Sequence, residues 1–300
     1  MSAFPLVYVR PLYLASPGDP FTVTFPLDTA PGWSRTETPD LLRYTSPCGR
    51  ATVTHEPAAG QGSWTVREYT TPGGELLWAA RFGPGTPAEI TAAFITPLID
   101  GLRSNHRDYL EGGPRYRPGS PASLLAERGW WPTPNSPTGF HDQIAPDGRA
   151  YYRHRLGHQP AEAELDGQVP ASWSMIAGSP HRPVWQADFT IGVPFYLLSS
   201  AAMALAVHPA KRLRTEIPPA NRAHMSTARA TPVDFSLLSG PPPVPAAAPN
   251  PPGAAGPRAA DEGEPPPCWP TPGSNAPAST GSRPATSPAP PTPATPDSSR

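Results

Sequence analysis

Two stretches of about 85 to 90 residues carry the same landmarks in the same order, so the fold is expected to contain two copies of one unit. Gly32-Trp33 returns as Gly129-Trp130, and Ser46-Pro47-Cys48-Gly49-Arg50 returns as Ala145-Pro146-Asp147-Gly148-Arg149. Trp64 returns as Trp173, and Trp78-Ala79-Ala80-Arg81-Phe82 as Trp185-Gln186-Ala187-Asp188-Phe189. Between the second and third landmarks the second copy is longer. Its surplus, residues 157–168, is polar, which is the kind of extra length a surface loop accepts.

Within a copy, the spacing of apolar residues predicts mostly strands. Residues 33–38 and 41–45 read as strands, then a Pro-Cys-Gly or Pro-Asp-Gly turn leads into a return strand at 50–56 or 149–156. Residues 63–69 alternate apolar and polar side chains with the period of a half-buried strand. In the next strand, 76–82, Trp78, Ala80 and Phe82 share one face, as do Trp185, Ala187 and Phe189 in the second copy. Trp33, Trp64, Trp78, Phe82, Trp130, Trp173, Trp185 and Phe189 are the expected aromatic core.

Helices are expected at both ends of a copy. Residues 122–127 are good helix formers that stop at Gly129, whereas Pro20 and Pro26 obscure the counterpart in the first copy. After the last strand, Thr86-Pro87-Ala88-Glu89 spells a capping box, followed by Ile90, Phe94, Leu98 and Leu102 at helical spacing. The second copy has Val193-Pro194-Phe195-Tyr196 there instead, then Leu197, Leu198, Met203 and Leu205. Residues 189–207 bear no formal charge, and internal analogy makes them a core helix and not a membrane span. The expected fold class is therefore α+β. Each of the two tandem repeats is an antiparallel β-sheet of four to five strands with a C-terminal helix packed on one face.

Composition sets the boundaries. The repeats are placed at 13–102 and 121–207. A linker at 103–120 contains Gly112, Gly113, Pro114, Pro118 and Gly119, so two domains side by side are expected. A basic linker follows at 208–239. Of the 49 prolines in the chain, 20 fall in residues 241–300, where the large apolar residues are Val244 and Trp269. That segment, 240–300, reads as a disordered tail, because it has too little apolar surface to offset about 1 to 2 kcal/mol per residue of ordering entropy. It is taken as a tether. The two cysteines, Cys48 and Cys268, form no disulfide framework, and the N-terminal residues have no secretory pattern. A cytoplasmic location is expected.

Polar residues that match between copies are the natural candidates for chemistry. They are Arg50 with Arg149, read as solvated strand starts, and His55 with His154, read as half-buried structural residues. His141, His154 and His158 do not have the spacing of a metal site. No phosphate-binding loop, zinc-protease motif or nucleophile elbow occurs, so no catalytic, cofactor-binding or metal-ligating residue is nominated. Binding has more support. Tyr151, Arg153 and Arg155 share one face of a strand, and residues 211–230 carry a net charge of +4 that includes Lys211, Arg212 and Arg214. Residues 1–110 and 111–210 carry −2 and −1, without the basic excess usual in a nucleic-acid module.

The succession Gly-Trp, Ser-Pro-x-Gly-Arg, Trp, Trp-x-Ala-x-Phe and Thr-Pro-x-Glu resembles a family of actinobacterial proteins known as domain of unknown function 317, in two tandem copies. The use of arginine almost to the exclusion of lysine suits the GC-rich genome which that resemblance implies. The resemblance implies a fold and a host range, with no activity or site residue attached. The expected function is non-enzymatic binding of a macromolecular partner, a protein. The alternative is weak, non-specific nucleic-acid binding through Tyr151, Arg153, Arg155 and the 211–230 segment. A third reading is an enzyme with its site between the copies. Oligomeric state is left open.

Overall fold

Alternating side chains make meanders, and both copies are meanders. The computed structural model describes residues 6–57 and 62–229; the tail expected at 240–300 and the last part of the basic linker lie outside the described residues. A short strand β1 (Leu6–Arg10) comes first. The first copy follows with α1 (Phe21–Asp28), β2 (Ser34–Thr38), β3 (Leu41–Thr45), β4 (Ala51–Glu56), β5 (Ser63–Tyr69), β6 (Leu76–Phe82) and α2 (Ala88–Arg103). The second has α3 (Pro121–Ala126), β7 (Trp131–Pro132), β8 (Phe140–Ile144), β9 (Ala150–Arg155), α4 (Ala161–Leu165), β10 (Trp173–Ser179), β11 (Arg182–Phe189) and α5 (Phe195–Val207). Two strands, β12 (Ala210–Leu213) and β13 (Ser226–Arg229), close the described chain. The protein is α+β, with antiparallel sheets.

The two meanders share an edge. Strand β6 pairs with β11, so the order is β2-β3-β4-β5-β6-β11-β10-β9-β8-β7, one ten-stranded sheet in place of two sheets laid side by side. The joint is made by Phe82 opposite Ala187, Arg81 opposite Asp188 and Ala80 opposite Phe189. It is tied further by the Gly83 N–H donating to the Gln186 carbonyl (2.8 Å) and the Thr190 N–H to the Ala79 carbonyl (2.9 Å). The matching turns are built alike. In each, a glycine at positive φ, Gly49 or Gly148, donates its N–H to the carbonyl three residues back, Ser46 or Ala145, as a turn needing a left-handed residue requires.

Both long helices lie on one face of this sheet. Phe94 of α2 touches Trp78, Phe82 and Phe189 at ring-centroid distances of 6.0, 5.5 and 5.6 Å, so one side chain bridges the two copies. Phe195 of α5 meets Trp173 edge-on at 5.8 Å. Trp64, Trp78, Phe82, Trp130, Trp173, Trp185 and Phe189 are buried, and Trp33 is half-buried against the same core. No helix among the described residues is long and apolar enough to cross a membrane.

The local details correct some expectations and fill in others. The Thr86 hydroxyl donates to the Gly83 carbonyl and does not cap α2, whose N-cap residue is Pro87, with no side-chain cap. Helix α5 has Pro194 as its N-cap residue with nearly the same backbone as Pro87, so the two helices begin alike despite their different sequences. Pro26 lies inside α1, and the first copy therefore has the opening helix its prolines obscured. The start of the basic linker is ordered: β12 and β13 flank β1 in a three-stranded antiparallel sheet.

Candidate binding face

Side chains on the sheet face opposite α2 and α5 form continuous cross-strand rows. In the central row the paired positions are Thr36, Arg43, Thr54, Thr65, Arg81, Asp188, Ser174, Arg153 and Asp142, running from β2 across the joint to β8. Every member is polar. A parallel row in the first copy reads Ser34, Thr45, Thr52, Arg67 and Ala79. Thr54 and Thr65 are only 8% and 4% exposed, sunk between Arg43 and Arg81, which are exposed. A sheet face meant for a core would alternate the other way, with apolar residues at these positions.

The surplus loop of the second copy folds over this face. It forms α4, and Glu164 pins it. Glu164 accepts hydrogen bonds from the Arg155 guanidinium, the Ser172 hydroxyl (2.9 Å), the Ser172 N–H (2.9 Å) and the Ile191 N–H (3.0 Å). Its carboxylate is thus buried with its acceptor sites filled, the condition under which a buried charge is tolerated. Between this roof and the sheet lies a cleft of about 390 Å³ that includes Ala79 and Arg81 from the first copy and Ser174, Gln186, Asp188 and Arg153 from the second. In the cleft the Asp188 carboxyl is held above the usual carboxylate range, chiefly by burial, against hydrogen bonds donated by Ser174 (2.6 Å) and Gln186 (2.7 Å).

The candidates read from the sequence fare unequally. Tyr151, Arg153 and Arg155 do share the face opposite the long helices, but both arginines are engaged. Arg153 makes a two-pronged contact with Asp142 (2.9 and 2.7 Å) and lies over the Phe140 ring, and Arg155 is buried on Glu164. Arg212, only 3% exposed, holds both oxygens of Glu89 and the Ser16 carbonyl. Lys211 and Arg214 are exposed on and beside β12. Tyr151 is half-buried.

The matched histidines are stacked in both copies. His55 lies on Trp64 at 4.3 Å and His154 on Trp173 at 5.6 Å, on the helix-covered face. Burial is the main cause lowering the pKa of each. His141 stands opposite His154, yet no group of His, Cys, Asp or Glu among the described residues could hold a metal ion. The matched arginines have diverged. Arg50 is buried against Glu68 (3.2 Å), whose carboxylate also faces His106, while Arg149 reaches His224 (2.7 Å).

The residues the sequence reading passed over are Arg81, Asp188 and Glu164. Arg81 and Asp188 were aligned as equivalents, but nothing in a sequence alignment says that equivalents meet. The carboxylate of Glu164 sat in a segment read as a polar loop.

Comparison with known proteins adds one finding. The family model described as SPDY, Domain of unknown function (DUF317), matches the chain twice, over residues 45–102 and 144–211. Each match runs from the end of the strand before the glycine turn to about the end of the closing helix, consistent with two copies. No curated protein and no solved structure matches the chain.

Proposed function

We propose that the protein is a non-enzymatic, cytoplasmic binding module that docks a protein partner on the sheet face opposite α2 and α5. The observation that carries this reading is the polar row from Thr36 to Asp142, which crosses both copies without an apolar residue. Ten strands at about 4.8 Å spacing make a face roughly 43 Å wide, of which α4 covers part and the first copy's share stays open, with Arg43 and Arg81 exposed and Arg67 half-buried on it. Its charge is mixed: Arg43, Arg67 and Arg81 alternate with Thr, and Asp188 and Asp142 sit among them. Mixed charge suits a protein surface better than a polyphosphate, which favours an unbroken basic strip.

The nucleic-acid reading loses support because Arg153, Arg155 and Arg212 are each committed to a carboxylate. An enzyme site at the joint would use the cleft beneath α4. Its lining includes neither His55 nor His154, and Glu164 is already occupied.

The test is quantitative capture from a cell extract by the full chain, by Arg43→Glu/Arg67→Glu, and by Phe25→Ser on the exposed surface of α1. A stoichiometric protein partner retained by the first and third and lost by the second supports the reading. Binding of random-sequence DNA with a salt slope that the double variant removes would replace it with the nucleic-acid alternative.

A further inference from the structure

Arg81 and Asp188 are directly paired across β6 and β11, which places their Cα atoms about 5 Å apart. Opposite charges so placed normally close an ion pair, and these do not. Asp188 turns one oxygen, Oδ1, to the Ser174 hydroxyl and the Gln186 amide; Oδ2 takes no hydrogen bond among the described residues, and Asp188 lines the cleft. The Arg81 side chain is exposed and makes no hydrogen bond or ion pair among the described residues, although its charge is felt at Asp188. An acceptor and a guanidinium fork thus stand side by side in one cleft, each with free valence.

The rest of the cleft has a different character. Leu165, Val169, Pro170 and Ile176 supply apolar wall, mostly from the roof that Glu164 fixes in place. A volume of about 390 Å³ falls in the range of small-molecule sites. A ligand that satisfies the whole cleft has a cationic group and an anionic group a few ångströms apart, with an apolar extension.

We propose that the cleft beneath α4 binds a free α-amino acid with an apolar side chain, its carboxylate on Arg81 and its ammonium on Asp188. The planar fork of Arg81 matches a carboxylate in two-pronged fashion, and a carboxylate acceptor recognises an ammonium by charge-assisted hydrogen bonds. The apolar wall selects the side chain by burial. The inference rests on the sheet face being a binding surface and adds to it a small-molecule site at the joint. A ligand there would bridge β6 and β11 and so cross-link the two copies.

Calorimetric titration of the full chain with leucine, isoleucine, valine, methionine and phenylalanine tests it, with leucinamide, N-acetylleucine and leucylglycine as controls. At least one free amino acid is expected to saturate the chain. Its amide, its N-acetyl form and the dipeptide are each expected to bind about tenfold more weakly or worse, because each removes or displaces one charge. Arg81→Gln and Asp188→Asn, checked for native tryptophan fluorescence, are expected to lose the binding. Absence of saturable binding by any of the five up to about 10 mM overturns the inference, as does equal binding of the amino acid and its amide. If that happens while the capture difference between wild type and Arg43→Glu/Arg67→Glu persists, the docking face stands and the amino-acid site falls.

Discussion

Arg81 and Asp188 occupy equivalent positions in the two copies and stand opposite each other in the sheet. On either side of them Phe82 faces Ala187 and Ala80 faces Phe189, so the neighbours exchange partners. An approximate two-fold axis therefore passes between the arginine and the aspartate. Two identical units joined at this edge would set like against like on the axis, and like charges directly opposite are destabilising. The duplicated chain carries opposite signs there, which is available only to copies free to diverge. The joint is thus a place where two copies with the same charge would repel, and the cleft opens over it.

Trp78 and Trp185 are equivalent buried residues under the helices, and Trp185 also donates its indole N–H to the Tyr13 carbonyl (3.0 Å). Substituting either by Ala is expected to destabilise the chain by about 3 to 5 kcal/mol, read from denaturant unfolding. A variant that unfolds at the parent's midpoint would remove that tryptophan from the core.

Glu164 and Arg155 form the buried pair that holds α4 on the sheet. Glu164→Ala is expected to be the more damaging of the two alanine variants, since it strands the Ser172 and Ile191 backbone N–H groups and leaves the buried guanidinium without a counter-ion, bonded only to the Pro170 and Gly157 carbonyls and the Ser172 hydroxyl. Arg155→Ala leaves a carboxylate with three remaining donors and is expected to lose about 3 kcal/mol. Equal losses would show that the backbone contacts do not fix the roof.

Arg212 separates from its basic neighbours in the same way. Arg212→Gln breaks a pair with Glu89 that also ties β12 to Ser16, and is expected to lose about 3 kcal/mol of stability. Lys211→Gln and Arg214→Gln, at exposed positions, are expected to stay within about 0.5 kcal/mol of the parent. Chemical denaturation of the three variants decides the matter.

The stacked histidines give stability a pH dependence. The folded-state pKa values of His55 and His154 lie below the ordinary 6.5, chiefly because burial disfavours the imidazolium. Their contribution is present above pH 6.5 and is lost as pH falls through the lowered values, because the unfolded chain takes up protons first. Asp188 acts in the opposite sense. Raised above 3.8, it contributes stability below that value, and loses it as pH rises through its folded pKa. The thermal midpoint is therefore expected to fall on acidification below pH 6.5, with a shallower fall in His55→Gln/His154→Gln; an unchanged slope would contradict the burial of both rings.

Much of the fold is legible in the sequence because strands advertise themselves by alternation. Residues 63–69 and 76–82 are strands over the span that their pattern indicates, and the two glycine turns close as their composition requires. The pairing of β6 with β11 was not legible: an alignment of two copies shows which residues correspond, and carries no term for which edges meet. Charged residues were misread for a related reason. Arg153, Arg155 and Arg212 appear basic in a linear count, and their partners Asp142, Glu164 and Glu89 lie 11, 9 and 123 residues away. The polar face could be traced within each copy, but only as strand residues with the apolar partners removed; its continuity came from the joint.

Everything proposed for the face and the cleft depends on that joint. Amide hydrogen exchange of the full chain measures it directly, at the Gly83 and Thr190 N–H groups that bond across from one copy to the other. Protection at both comparable to that of the strand-centre amides of β5 and β10 is the predicted result. Exchange at the rate of the exposed β2 edge would mean that the copies do not share a sheet, and would contradict the account at its base.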